Sequence, residues 1–157
     1  MTSPDALDVL DAFGSAGFGH LVDGGWGVDA LVGEQTRRHE DLDLVVARSD
    51  LPRAEAALRP LGFAHAAGEE PGLPARLVLR APGGRQVDLH PVVFDEEGNG
   101  RQDLGDGTSG VYPPPVSPGV GGSRDTAVPC LPRSSSCGSI SATSPAPATG
   151  TTSPCSG

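Results

Sequence analysis

Two periods organise the hydrophobic positions of the first hundred residues. Ala6, Leu7, Leu10 and Phe13 recur at helical spacing behind Ser3-Pro4, and Gly14 and Gly17 mark the end of that helix. His20-Leu21-Val22 reads as a short strand, and Gly24-Gly25 then opens a second short helix whose stripe is Trp26, Ala30 and Leu31. A third helix carries its buried stripe on Leu51, Ala54, Leu58 and Leu61. Ser49 or Asp50 is its cap, Pro52 sits in its first turn and Gly62 is its stop. Period two governs the remainder: Leu42 and Leu44 alternate with Asp41 and Asp43, and Val87 and Leu89 alternate with Asp88 and His90. Phe63 starts a return strand, and Ala75 to Arg80 pairs with Gln86 to Val93 across the Gly83-Gly84 turn. Helix, strand, helix, strand, helix and hairpin predict a mixed α/β domain, a small mixed sheet covered by helices.

The polar positions carry the candidate chemistry. Side chains two apart on a strand point the same way, about 6 to 7 Å apart, so Asp41 and Asp43 converge while Leu42 and Leu44 enter the core. Alone, such a pair also fits a solvated strand face. A Mg²⁺ ion, however, is held by one or two carboxylates plus phosphate oxygens and waters, and a phosphate site is at hand. Gly24 and Gly25 lie at a strand-to-helix turn, where the backbone can approach a ligand and free N–H groups face an anion. Arg37-Arg38-His39 is a cationic cluster just ahead of the acidic strand, suited to neutralising phosphates, with Arg38 the preferred residue. Asp88 faces the same way as His90 and is a candidate either for a metal ligand or for the base that takes a proton from an attacking hydroxyl.

The run Gly24-Gly25-Trp26, a short helix, Thr36-Arg37-Arg38-His39 and then Asp41-Leu42-Asp43 resembles the aminoglycoside and lincosamide nucleotidyltransferases. These are small members of the DNA-polymerase-β-like nucleotidyltransferase superfamily. The resemblance extends from about residue 5 to about residue 112, and the Gly-Gly-Trp to Asp-x-Asp unit, with 15 residues between Gly25 and Asp41, is its specific part. It implies a nucleotidyltransferase fold over residues 1–112. It also implies that Asp41, Asp43 and Asp88 bind metal, with Asp88 the base, and that Gly24, Gly25, Trp26, Arg38 and His39 bind the nucleotide. The implied reaction moves a nucleoside monophosphate from an NTP to a hydroxyl of an antibiotic, with two Mg²⁺ ions as cofactors. A glycosyltransferase also uses Asp-x-Asp, but needs a larger nucleotide-sugar domain than this chain holds.

Charge narrows the partners. Residues 1–100 contain 17 Asp and Glu against 8 Arg, and the whole chain carries a net charge of -9, a field that attracts a polycationic acceptor and repels nucleic acid. With no run of 18 apolar residues and no basic-plus-apolar leader, a cytoplasmic protein without a membrane partner is expected. Oligomeric state stays open.

Residues 113–157 differ in kind. They contain no Phe, Trp or Tyr, their only charged residues are Arg124, Asp125 and Arg133, and Ser, Pro, Thr, Ala and Gly dominate. Such a segment buries too little apolar area to offset roughly 1 to 2 kcal/mol per residue of backbone ordering, so a disordered tail is expected. The chain has 11 Arg and no Lys, as a GC-rich gene gives, and permitted codons for Ser134 to Ser144 spell an amphipathic, aromatic-containing text in a neighbouring frame. A frame disruption after Tyr112 is therefore the expected origin of this tail, with an inactive nucleotide-binding remnant as the alternative function. Cys130, Cys137 and Cys155 lie within it, lack zinc-site spacing, and read as incidental.

Overall fold

The computed structural model describes residues 1–65 and 74–114. Apart from Pro113 and Pro114, the expected tail lies outside the described residues.

Helix α1 (Ser3–Ala16) starts one residue earlier than its polar punctuation suggests. Thr2 is the N-cap, its hydroxyl accepting from the Asp5 N–H while the Asp5 carboxylate accepts from the Thr2 N–H at 2.9 Å, and Pro4 occupies the first turn. The helix runs through Gly14 and stops at Gly17, whose φ of 69° takes the left-handed conformation that glycine adopts at least cost. β1 (His20–Val22), α2 (Gly24–Val32) and β2 (Asp41–Ala47) follow, and a 3-10 turn leads into α3 (Leu51–Leu58). A second 3-10 turn over Arg59–Leu61 ends at Gly62 with φ 86°, so the expected stop is observed. Asp50 precedes α3 without a side-chain capping hydrogen bond, and Pro52 occupies its first turn.

β3 (Leu77–Ala81) and β4 (Arg85–Phe94) form the expected antiparallel hairpin. Two further strands, β5 (Gly100–Asp103) and β6 (Ser109–Tyr112), extend the sheet beyond what the sequence pattern predicts. The order is β1-β2-β4-β5-β6, with β3 on the same side of β4 as β5 but pairing its first half. Pro91, which lacks an N–H, falls between the β3-paired residues ending at Leu89 and the β5-paired residues beginning at Val93. β2 and β4 are parallel, a pairing that needs a long crossover, and α3 lies within that crossover.

The helices cover one face of the sheet. Leu42, Leu44, Val46, Val87 and Leu89 pack there with Val9 and Phe13 of α1 and Leu58 of α3, nearly all fully buried. Burial of each such side chain contributes about 1.5–3 kcal/mol, so this face fixes the strand register. The opposite face carries the polar alternates Asp41, Asp43, Asp88 and His90 and a small apolar patch of Leu21, Val45, Val92 and Tyr112.

Candidate active site

The parallel pairing of β2 with β4 sets Asp43 directly beside Asp88, and Asp41 beside Gln86. One carboxylate oxygen from each of Asp41, Asp43 and Asp88 lies within 4.8 Å of the others. Three hard oxygen donors so close repel one another and suit a divalent cation such as Mg²⁺. Asp88 shows that strain: burial above all, with the charges of Asp43 and Asp41 adding to it, pushes its pKa up despite hydrogen bonding from Gln86 and the nearby Arg76. The Gln86 amide donates to Asp88 at 2.7 Å, and the largely exposed Arg76 guanidinium reaches it at 3.3 Å.

α2 brings its N-terminus to the same place. The Asp23 N–H donates to the Asp43 carbonyl at 3.0 Å, and the chain then turns into the helix at Gly24 with φ 61°. A Cβ at Gly24 would fall on the Asp43 carboxylate, so only glycine fits both the angle and the space. Asp23 is a further acid beside the cluster, its pKa raised first by burial and also by Asp43.

Gly25 approaches something else. A Cβ there would fall on the His39 ring and lie 2.9 Å from the Arg37 guanidinium. His39, expected on the nucleotide, is buried to 2 % exposure, hydrogen-bonded through Nε2 to the buried Asp29 carboxylate and packed against Trp26 with ring centroids 4.8 Å apart. Thr36 also donates to Asp29, from its N–H at 3.1 Å and its hydroxyl at 2.5 Å, and the Met1 ammonium donates to the His39 carbonyl at 2.9 Å. Burial would raise the Asp29 pKa, but the hydrogen bonds from Thr36 and His39 outweigh it and hold the carboxyl below its usual range. The Asp29 group thus ties α2 to the loop that delivers β2. Trp26 packs against the core with its Nε1 buried and without a hydrogen-bond partner among the described residues. Arg38 is exposed, while Arg37 donates to the Arg38 carbonyl at 3.3 Å and lies against Gly25.

Residues 5–137 match the aminoglycoside-2''-adenylyltransferase family. The chain belongs to that family. Its match runs past Tyr112 into the segment beyond the described residues. A lincosamide resistance protein of Staphylococcus haemolyticus is 28% identical over 99 residues, 63% of this chain, and the aligned part spans 60% of that relative's length. The lincomycin-bound crystal structure of the lincosamide antibiotic adenylyltransferase LnuA superposes with a TM-score of 0.70 at 24% identity, covering 87% of this chain and 84% of that one. ANT(2'')-Ia in complex with adenylyl-2''-tobramycin gives 0.62 at 23% identity, covering 83% and 70%. At these identities the two structures establish the fold, a mixed sheet with helices on one face.

Several residues of this family member at the site escaped the sequence reading. Asp29 looks like one polar position on a short helix, and only the return of the loop through Thr36 and His39 gives it partners. His90 shares a face with Asp88 by simple alternation, and its Nε2 lies 3.1 Å from the Asp43 carboxylate. Gln102 on β5 reaches that same histidine, and Tyr112 on β6 donates to Gln102.

Proposed function

We propose that this chain transfers a nucleoside monophosphate from an NTP to a hydroxyl of a small antibiotic of the aminoglycoside or lincosamide type, releasing pyrophosphate. The observation that carries this is the meeting of Asp41, Asp43 and Asp88 with the Gly24 turn of α2. Asp41, Asp43 and Asp88 would hold Mg²⁺, two ions in this reading, and the metal would supply neutralisation of the charge that develops on the phosphates. The N–H groups at the start of α2, with Arg37 and Arg38, hold the triphosphate. The Asp29–His39 pair braces the loop behind them.

Asp88 takes the acceptor's proton. The hydroxyl oxygen forms a bond to the α-phosphorus, its proton passes to an Asp88 carboxylate oxygen, and the bond from the α-phosphorus to the bridging oxygen breaks with pyrophosphate leaving. A pKa raised by burial and neighbouring carboxylates makes Asp88 a better proton acceptor than an ordinary aspartate. The acidic surroundings favour a cationic acceptor. No helix among the described residues is long and apolar enough to cross a membrane.

Pyrophosphate release with MgATP and either tobramycin or lincomycin tests the reading. Turnover with one of them, lost in Asp43→Asn, is expected. Heat of MgATP binding without pyrophosphate from either acceptor would instead mark a nucleotide-binding remnant, and no binding at all would refute the site.

A further inference from the structure

Beyond the carboxylates themselves, the face that holds them contains a polar chain reaching into the β5–β6 hairpin. His90 lies between Asp43 and Gln102: Nε2 is 3.1 Å from Asp43 Oδ1, and Nδ1 is 3.2 Å from Gln102 Nε2. Gln102 is buried, at 2 % exposure, and every polar group of its amide is used. Its NH₂ donates to the Ala75 carbonyl at 2.5 Å and faces His90, while its Oε1 accepts from the Tyr112 hydroxyl at 3.1 Å.

These partners settle the hydrogen positions. A carbonyl accepts and never donates, so the nitrogen of the Gln102 amide must face Ala75, and the same NH₂ is then a donor toward His90. Nδ1 of His90 must accept that hydrogen, which leaves the ring proton on Nε2, aimed at Asp43. A flipped amide would set oxygen against the Ala75 oxygen and forfeit that bond, so the Ala75 carbonyl decides the orientation. The Tyr112 phenol keeps its proton, its pKa raised by burial and by Asp23 and Asp43, and so remains the donor this arrangement needs.

We propose that Gln102 and Tyr112 lock His90 as its Nε2–H tautomer, and that His90 is thereby a positioning residue that fixes the Asp43 carboxylate for metal binding. One oxygen of Asp43 is then held by His90 and the other lies against Gly24, so the carboxylate keeps a single orientation. The hairpin that the sequence pattern leaves unread is what sets it. The inference rests on the reading of Asp43 as a metal ligand, and the tautomer can be measured without that reading.

Long-range ¹H–¹⁵N correlation spectra of the full chain at neutral pH, without metal, report which ring nitrogen of His90 carries hydrogen. The Nε2–H form is expected in the wild type and a mixture of tautomers in Gln102→Leu; Tyr112→Phe, which loses only a hydroxyl, should shift the ring the same way to a smaller extent. A proton on Nδ1 in the wild type, or spectra unchanged by both substitutions, would overturn the lock. Titration with MgATP should then show roughly 10- to 100-fold weaker Mg²⁺-dependent binding in Gln102→Leu and His90→Ala, the range usual for partners of metal ligands. His90→Gln, which returns an N–H donor toward Asp43, should recover most of that loss. Equal binding by His90→Ala and the wild type would overturn the positioning role. Wild-type protein with the expected tautomer that binds MgATP yet releases no pyrophosphate supports the lock and places the failure in the transferase reading.

Discussion

The carboxylate of Asp43 fills the space in which a Cβ on Gly24 would stand. Two elements separated in sequence, the first turn of α2 and strand β2, are therefore in close contact through the absence of a side chain. Gly24→Ala must displace the acid or the helix start, and it also places an L-residue at φ 61°, which costs about 1–2 kcal/mol. A displacement near 1 Å at a reacting centre costs on the order of 10²-fold in rate, and that loss of pyrophosphate release is expected. Gly33→Ala supplies the control, since Gly33 has φ 85° and nothing within 4 Å of its Cβ position. It should lower the melting temperature by a similar amount while leaving turnover near that of the wild type.

The Asp29–His39 pair gives a prediction about stability. His39→Ala leaves a buried carboxylate with Thr36 as its remaining partner, and breaking a buried pair costs about 3–5 kcal/mol, so a loss near 3 kcal/mol in urea unfolding is expected. The pH dependence has a definite sign. Because the Asp29 pKa is lower in the folded chain than the roughly 3.9 of an unfolded one, its contribution is complete above that value and disappears as pH falls through the folded pKa. The stability difference between wild type and Asp29→Asn should therefore be constant from neutral pH to about 5 and shrink below about 4. A difference that stays constant down to the acid transition would count against an ionised, internally bonded Asp29.

The fate of His39 shows what a sequence pattern conveys and what it does not. The stripes of α1 and α3 and the β3–β4 hairpin follow from local periods, and so does the inward turn of Leu42, Leu44, Val87 and Leu89. The same alternation put Asp41, Asp43 and Asp88 on polar faces. What brings them together is the parallel register of Asp43 with Asp88, a non-local pairing set by core packing around α3. His39 stands beside two arginines in sequence and so reads as part of a cationic cluster, yet its ring is used by Asp29 and Trp26 on a helix it precedes nowhere in the chain. β5 and β6 escaped for another reason. Gly-Arg-Gln-Asp and Ser-Gly-Val-Tyr offer no apolar alternation, and Gly100 packs where a Cβ would lie 3.0 Å from Val92.

Asp88 should trade stability for activity. Its folded pKa is raised, so ionising it costs the folded state free energy at neutral pH, and that cost fades as pH falls through the raised value. Asp88→Asn removes the cost. In metal-free buffer near neutral pH the variant should melt higher than the wild type, with the advantage diminishing toward pH 4, while pyrophosphate release is abolished. MgATP should reverse the order: at 100 times its dissociation constant a ligand adds about 2.7 kcal/mol to the wild type, and the variant should gain much less. A lower melting temperature for metal-free Asp88→Asn would show that the Gln86 and Arg76 contacts outweigh the burial and repulsion at Asp88.

The two arginines ahead of β2 separate by position. Arg37 lies against Gly25 at the start of α2, whereas Arg38 is exposed and makes no side-chain hydrogen bond or ion pair among the described residues. Charge-assisted hydrogen bonds are worth about 1.5–3 kcal/mol, and 1.4 kcal/mol is tenfold in affinity. If triphosphate sits over the N-terminus of α2, Arg37→Ala should raise the KM for NTP by roughly tenfold or more, with kcat changed less. Arg38→Ala removes a charge that is free to swing toward solvent, and should raise KM by a smaller factor that vanishes at high salt as screening sets in. Steady-state kinetics at two ionic strengths distinguish them. A larger, salt-insensitive effect at Arg38 would assign the phosphate contact to Arg38, and would require Arg37 to act on the loop through its bond to the Arg38 carbonyl.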